Sequence, residues 1–189
     1  MEPHYLVPEQ QEGPAKDIFH IGKAASNDDA EDWFVDAKNR MLSINHWNEH
    51  APTFPFAVCL TDVYGKPVNR SAHKGDHIRM DVPDAAGKYG WVSIDAIAYD
   101  DYPDEDKETY AIRMHSVSEP GLQGEVAAAF VREDASSTMV IIRTGKQMKV
   151  LYHGRNAPEE LLASDLPGAN AWQAVTDVQW AGLIHSFIE

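Results

Sequence analysis

The sequence predicts an α+β fold in which a strongly twisted antiparallel sheet, open or partly closed into a barrel, packs with an N-terminal helix and C-terminal helices. Three patterns support this prediction. Apolar residues recur at helical spacing near the N terminus, alternate with polar residues from about position 54 to 153, and return to helical spacing at the C terminus. Because no helix-length crossover separates the alternating segments, neighbouring strands are expected to pair antiparallel.

Length, charge and cysteine content narrow the class of protein. The chain has 189 residues and is 43% apolar, which is enough for one domain with a single core. Lys and Arg total 16 against 30 Asp and Glu, and the formal charge of -14 disfavours nucleic acid and anionic membranes as partners. Cys59 is the only cysteine, so no intramolecular disulfide can form. Because the first residues also lack a basic and then apolar leader, we predict a cytoplasmic protein.

The N-terminal part divides into an arm and a helix. Residues 1–22 are rich in Pro, Gln and Glu and are expected to form an extended arm, which lies on a single α+β domain of residues 23–189 or reaches a partner. Ser26 or Asn27 is suited to cap the next helix, because acidic residues crowd its first turn. We expect this helix to run to about Glu49. Its apolar stripe comprises Ala30, Trp33, Ala37, Met41, Ile44 and Trp47.

The middle of the chain is predicted to form the sheet. Alternating apolar residues indicate half-buried strands over 75–83, 91–99, 109–117, 137–143 and 147–153. The acidic segment 100–106 is expected to be the exposed loop of one hairpin. Thr144-Gly145 is expected to form the turn of another, because glycine accepts a positive φ.

Helical signals return after the last strand. Short helices are predicted at 158–162 and 169–175. Thr176 and Gln179 fit a capping box, which would start a last helix. That helix carries the apolar residues Trp180, Leu183, Ile184 and Phe187.

A set of short motifs extends along most of the chain. They are Ile44-Asn45-His46-Trp47-Asn48-Glu49, Gly75-Asp76-His77-Ile78-Arg79-Met80-Asp81-Val82-Pro83, Tyr89-Gly90-Trp91-Val92, Ala135-Ser136-Ser137-Thr138-Met139, His153-Gly154-Arg155-Asn156 and Trp180. Through these motifs the sequence resembles a family of uncharacterised bacterial proteins. The resemblance implies a single domain. Because that family has no established activity, the resemblance implies no site residue.

One motif has the spacing of a zinc site. His46-Trp47-Asn48-Glu49-His50 reads H-x-x-E-H, and on a helix the two imidazoles could bind Zn²⁺ while the glutamate acts as a base. The pattern looks like the inverted zinc-peptidase motif, with Glu125 at a suitable distance for a third ligand. However, Pro52 ends the helix within two residues of the motif. We therefore favour a structural role, with both imidazoles near a helix C terminus.

Other polar patterns are also assigned structural roles. His73 and His77 are expected to be solvated strand residues, and the glycines of Gly121-Leu122-Gln123-Gly124 to form a turn. The one basic region of the chain comprises His153-Gly154-Arg155-Asn156 with nearby Arg143, Lys146 and Lys149, and Gly154 is expected to take a positive φ in a turn. Such a bipolar charge could also steer association with a partner.

No catalytic, cofactor-binding or metal-binding residue, and no cofactor, is assigned from the sequence. The favoured interpretation is a non-catalytic binding or assembly module, which contacts other protein chains or a second copy of itself. One alternative is a zinc-dependent hydrolase built on His46, Glu49 and His50. Another is a domain whose helix-framed sheet binds an apolar small molecule.

Overall fold

The fold is a single antiparallel sheet with helices on one face. The computed structural model describes residues 4–81, 89–121, 135–157, 172 and 174–189. Its strands are β1 (Lys16–Lys23), β2 (Ala57–Thr61), β3 (His77–Asp81), β4 (Tyr89–Tyr102), β5 (Lys107–Val117), β6 (Ser136–Thr144) and β7 (Gln147–Arg155). The described helices are α1 (Asn27–Leu42), α2 (Trp47–His50) and α3 (Asp177–Ser186). This architecture confirms the predicted α+β class.

The sheet is open. Its seven strands follow the order β1-β7-β6-β5-β4-β3-β2, and every neighbouring pair is antiparallel. Among the described strands, β1 pairs only with β7 and β2 only with β3, so these two strands form the edges, and an isolated bridge joins Thr61 of β2 to Pro67. The sheet therefore does not close into the barrel that the sequence left possible. Pairing of the first strand with the last brings both ends of the chain to the same edge.

Both predicted hairpins are present, but the first is longer than expected. β4 continues to Tyr102 and β5 begins at Lys107, so only the 3₁₀ turn Pro103–Glu105 and Asp106 lie between them. Arg143 explains this extension, because its guanidinium donates to Asp106 and Glu108 at 2.7 Å each. These bonds offset the repulsion between neighbouring carboxylates, which would otherwise oppose strand pairing in this acidic segment. In the second hairpin, Gly145 has φ 53°, as the turn prediction requires.

The N-terminal helical segment begins as predicted and ends earlier. The Ser26 side chain caps α1 by accepting from the Asp29 N–H at 3.0 Å. The helix stops at Leu42 instead of about Glu49, and a 3₁₀ turn, Ile44–His46, separates it from α2. The expectation of one continuous helix is therefore wrong.

Edge strand β2 provides the physical reason for this break. The Asn45 side chain accepts from the Leu60 N–H at 2.7 Å, and the Asn48 side chain accepts from the Val58 N–H at 3.1 Å. Asn48 also donates to the Phe56 carbonyl at 2.8 Å. The turn between the helices places both amides along the open edge of β2, whose backbone groups would otherwise lack partners.

The core lies between the sheet and the helices, and aromatic rings fill much of it. Trp47 is fully buried, and its indole N–H donates to the Met41 carbonyl at 3.1 Å. Ring centroids in this cluster lie 4.0 to 6.5 Å apart, a range in which aromatic pairs add to the burial energy. The rings belong to Trp47, Phe54, Tyr152, Trp172, Trp180 and Phe187.

The arm that precedes β1 lies on the outer face of the sheet. Arg113, which alternates with core residues of β5, donates to the Leu6 carbonyl at 3.5 Å. The Asn156 side chain accepts from the Gln11 N–H at 2.7 Å, and Val7 is buried. The arm thus binds its own sheet along these residues. The proposed boundary at residue 22 falls within β1, and a separable arm of residues 1–22 stays a prediction.

The C-terminal helix has the predicted cap. The Thr176 side chain accepts from the Gln179 N–H, and the Gln179 side chain accepts from the Thr176 N–H, which together form a capping box. The helices expected at 158–162 and 169–175 fall outside the described residues, apart from 172, 174 and 175. None of the described helices has the length and apolar content to span a membrane.

Replacing Trp47 tests the energetic weight of the aromatic cluster. Trp47→Ala is expected to lower the free energy of unfolding by about 3–5 kcal/mol, because it leaves a large cavity among rings that cannot collapse onto it. The neighbouring His46 is exposed, so His46→Ala is the matched control and is expected to stay within about 0.5 kcal/mol of the unmodified chain. Urea unfolding followed by circular dichroism measures both. Equal effects of the two substitutions would contradict the assigned core.

A buried ion pair that positions the start of β3 predicts a pH dependence. Asp76 accepts from Arg70 at 2.6 and 2.9 Å and from the His73 N–H at 2.8 Å, and it is 4% exposed. Burial raises the pKa of Asp76, but these hydrogen bonds outweigh it and hold the pKa below the usual value. The carboxylate therefore stabilises the fold above the unfolded pKa of about 3.9, and this contribution is lost as pH falls through the lower folded pKa.

We expect Asp76→Asn to cost about 2 kcal/mol at pH 7 and progressively less in acid. The exposed Asp104→Asn changes net charge by the same amount and is expected to have little effect at either pH. Urea unfolding of the three proteins at several pH values measures the difference. A cost for Asp76→Asn that does not shrink in acid would contradict the assigned ionisation.

Candidate functional site

The H-x-x-E-H residues do not assemble into a site. His46 ends the 3₁₀ turn, while Glu49 and His50 belong to α2, and all three are exposed. The two histidines therefore do not belong to one continuous helix, which the motif requires. Within the part of the chain that the structure describes, no group of three or more His, Cys, Asp or Glu residues could hold a metal ion. Glu125 lies outside that part.

The two arginines of the predicted basic region form ion pairs within the chain. Arg143 is 5% exposed and bonds to Asp106 and Glu108, and Arg155 donates to Asp17 at 2.6 Å. The residue with positive φ in the turn after β7 is Asn156, at 55°, and not Gly154. Asn156 takes this conformation while its side chain binds the arm. Both arginines of this region are therefore paired within the chain, and a role of the region in steering a partner stays a prediction.

The other polar motifs noted in the sequence also do not meet at a common site. His73 precedes β3, and its backbone N–H donates to the Asp76 carboxylate. His77 begins β3 and lies opposite Thr61. Of the predicted glycine turn, only Gly121 is described, with φ 87°. None of these residues adjoins the cavity described next.

A small cavity lies on the inner face of the sheet, where β5 and β7 end and β6 begins, beside the first turn of α3. Its volume is about 40 Å³. Most of its wall is apolar, with Tyr152, Trp172 and Trp180 as the large side chains. Its other lining residues are Pro14, Lys16, His115, Ser116, Ala135, Ser136, Ser137, Gly154, Arg155 and Ala157.

A hydrogen-bond network forms the polar part of this cavity. The Trp172 indole N–H donates to the Ser137 hydroxyl oxygen at 2.7 Å, and the Ser137 and Tyr152 hydroxyls lie 2.8 Å apart. The Tyr152 ring stacks on Trp180 with a centroid distance of 4.0 Å. Burial raises the pKa of Tyr152 above its ordinary value, so its phenol stays protonated at neutral pH. The network therefore holds neutral hydroxyl groups in an aromatic setting.

The strand register explains why space remains here. Gly154 pairs with Ser137 on one side and with Lys16 on the other, on the face that carries Tyr152. A Cβ atom at Gly154 would lie 3.3 Å from the Lys16 Cβ and 3.4 Å from the Tyr152 hydroxyl oxygen. Such contacts are tighter than most, so only glycine leaves both neighbours in place.

The charged side chains at the cavity already have partners. Lys16 lies 2.9 Å from the Asp177 carboxylate and donates to the Val175 carbonyl at 3.1 Å. Arg155 bonds to Asp17. Because these cations are paired, the cavity suits a neutral group that combines an apolar body with a hydrogen-bonding atom.

Comparisons with known proteins found only weak structural similarity. No family model and no curated protein matches the chain. Protein Ms6760 from Mycobacterium smegmatis is similar in structure, with a TM-score of 0.44, 14% identity, and coverage of 96% of this chain and 94% of the other.

Two plant proteins show weaker similarity. A truncated norcoclaurine synthase from Thalictrum flavum gives a TM-score of 0.37, 13% identity and 95% coverage of both chains. Major latex-like protein 151 from Panax ginseng gives 0.35 and 12% identity, with 90% of this chain and 99% of the other covered. The fold assignment therefore rests on the strand order and register of the chain itself, and the resemblance to a bacterial family stays a prediction.

Adjacent serines at the cavity provide a test of the hydrogen-bond network. Ser137→Ala leaves the Trp172 N–H and the Tyr152 hydroxyl without their buried partner, and we expect a loss of about 1–3 kcal/mol in the free energy of unfolding. Ser136 is the matched control, because its buried hydroxyl has no hydrogen-bond partner among the described residues. Ser136→Ala is expected to change stability by less than about 0.5 kcal/mol. Thermal or urea unfolding would contradict the network if the two variants behaved alike.

Proposed function

We propose that the chain is a binding domain for a small, mostly apolar molecule, which occupies the cavity lined by Tyr152, Trp172 and Trp180. The observation that carries the proposal is the combination of aromatic walls with the Ser137 and Tyr152 hydroxyls inside one cavity. Binding sites for small molecules commonly join an apolar lining to a few fixed polar groups, which orient the ligand. No residue is given a catalytic role.

The size of the cavity limits the part of the ligand that is enclosed. A volume of about 40 Å³ holds about three water-sized groups, so it accepts a short alkyl end or one edge of a ring. The enclosed end carries a hydroxyl or carbonyl group that bonds to Ser137 or Tyr152. The remainder of the molecule lies outside the enclosed volume.

The arrangement of the described residues favours this interpretation over the two others. Assembly through the arm was suggested by a free N-terminal segment, but Leu6 and Gln11 bind the chain's own sheet. The hydrolase alternative required a metal cluster at His46, Glu49 and His50, and these exposed residues are not part of such a group. Contact with another protein chain stays a prediction.

Binding can be measured with simple probes. Benzyl alcohol and hexan-1-ol each combine an apolar body with one hydrogen-bonding group, and each is titrated into the full chain while tryptophan fluorescence is recorded. Because Trp172 and Trp180 line the cavity, we expect a saturable change with at least one probe, together with a rise in Tm. Native mass spectrometry of the freshly purified chain tests for a retained molecule.

A cavity-filling substitution gives the specific control. Ala135→Val adds two carbons to a buried residue of the cavity wall, and we expect it to weaken probe binding at least about tenfold while the fold is kept. Ala72→Val is the matched variant, because Ala72 is equally buried but does not line the cavity. No saturable binding of any probe and no retained molecule, or equal binding by both variants, would overturn the proposal.

A further inference from the structure

Strand β1 forms an exposed edge of the sheet. Its side chains alternate in burial, and the four that face outward are all exposed: Asp17, Phe19, Ile21 and Lys23. Phe19 is 66% exposed and Ile21 46% exposed, although both are large and apolar. An edge strand of eight residues with two such side chains is a site where another strand can pair.

The backbone groups of these same residues point away from β7. The Ala24 N–H donates to the Lys146 carbonyl at 2.9 Å, in the register in which Lys23 lies opposite Gln147. Hydrogen-bonded pairs alternate along an antiparallel ladder, so the even-numbered residues of β1 exchange their bonds with β7. The N–H and C=O groups of the odd-numbered residues from 17 to 23 are therefore directed to the open edge.

The two edges of the sheet differ in whether their backbone groups have hydrogen-bond partners. At β2, the side chains of Asn45 and Asn48 bond to the N–H groups of Leu60 and Val58. In the described part of the chain, β1 has no equivalent side chains along its outward edge. One edge is thus closed by its own chain, whereas the other presents backbone groups in the pattern that a further strand requires.

The sequence of β1 is complementary to itself in one antiparallel register. Two copies of β1 can pair through their odd-numbered residues in several offsets. In only one offset does each of the four odd-numbered residues lie opposite a residue of β1 in the second copy. In that register Asp17 lies opposite Lys23 of the second copy, and Phe19 lies opposite Ile21 of the second copy. The pairing repeats by symmetry, so it gives two ion pairs and two apolar pairs.

We propose that the chain forms a twofold dimer in which β1 pairs antiparallel with β1 of a second copy, with Asp17 opposite Lys23 across the interface. The two sheets become one continuous sheet, and the outer faces of Phe19 and Ile21 from both copies form one apolar cluster. The cavity and the interface share one end of β1, where Lys16 lines the cavity and Asp17 bonds to the lining residue Arg155. The probe-binding test uses Ala135, which is not part of β1, so it can fail while the dimer test succeeds, and the reverse.

The residue on the twofold axis is compatible with this arrangement. His20 faces its own copy in the second chain, and it already contacts His185, with ring centroids 4.1 Å apart. Burial and the neighbouring His185 lower the pKa of His20, while Glu189 raises it to a smaller extent. The two imidazoles at the axis are therefore uncharged at neutral pH and do not repel. Asp17 already bonds to His153 and Arg155, both through Oδ1, and its side chain is more than half exposed, so its other carboxylate oxygen faces no described partner and has room for Lys23.

Charge reversal provides a test that depends on the register. Lys23→Glu alone and Asp17→Lys alone each place like charges opposite one another at both ends of the interface. We expect each variant to weaken the dimer at least about tenfold in sedimentation velocity of the full chain at low salt. An equimolar mixture of the two variants restores both ion pairs in the heterodimer, so dimerisation is expected to return in the mixture.

A backbone substitution and a matched charge variant complete the experiment. Ile21→Pro removes an outward N–H that β7 does not use, and it is expected to abolish the dimer while the monomer stays folded by circular dichroism. Lys66→Glu changes the charge equally in an exposed loop near the opposite edge and is expected to leave the dimer intact. A monomeric wild-type chain at submillimolar concentration, or a dimer that persists in Lys23→Glu and Ile21→Pro, would overturn the proposal.

Discussion

The pairing of β1 with β7 is the contact on which the other features of this protein depend. It joins Lys16 to Gly154 and Lys23 to Gln147, segments more than a hundred residues apart in sequence. The arm leads into this strand from the outer face of the sheet, where Arg113 binds Leu6. On the inner face, α3 packs beside the same strand pair. The cavity lies at the end of this strand pair, and the open edge is its outward side.

The inner face combines dense aromatic packing with a few well-placed polar groups. Trp47 is buried among other rings and still satisfies its N–H through the Met41 carbonyl. At the other end of the cluster, the Trp172 N–H is satisfied by the Ser137 hydroxyl. Buried tryptophans require such partners, since an unpaired donor costs more free energy than a hydrogen bond gains. The same requirement that fixes these rings also gives the cavity its hydroxyl groups.

Several acidic side chains of the sheet form ion pairs with arginines. Arg143 holds Asp106 and Glu108, Arg113 holds Asp95, and Arg155 holds Asp17. Each of these arginines lies on the strand next to that of Glu108, Asp95 or Asp17, so these three cations stabilise the sheet instead of forming an exposed patch. This pairing is the reason that the basic region suggested by sequence proximity does not become a binding surface through Arg143 and Arg155. It also lets the acidic hairpin continue as strand almost to its tip.

Local signals in the sequence correctly predicted several parts of the fold. The Ser26 cap, the capping box of Thr176 and Gln179, and the turn at Gly145 each depend on residues within a few positions of one another. The alternating pattern likewise predicted the antiparallel sheet. The end of α1 was missed because Asn45 and Asn48 form their bonds with β2, which the apolar spacing of a helix does not report.

The sequence by itself determined the α+β class, the helix starts, the strand periodicity and the net charge, because propensity, capping and alternation act between near neighbours. Only the tertiary structure decided which strands form the edges and which residues meet at the cavity. Ser137 is separated by 15 residues from Tyr152 and by 35 from Trp172, and no local pattern joins them. Their meeting depends on strand register, which is set by packing over the entire sheet.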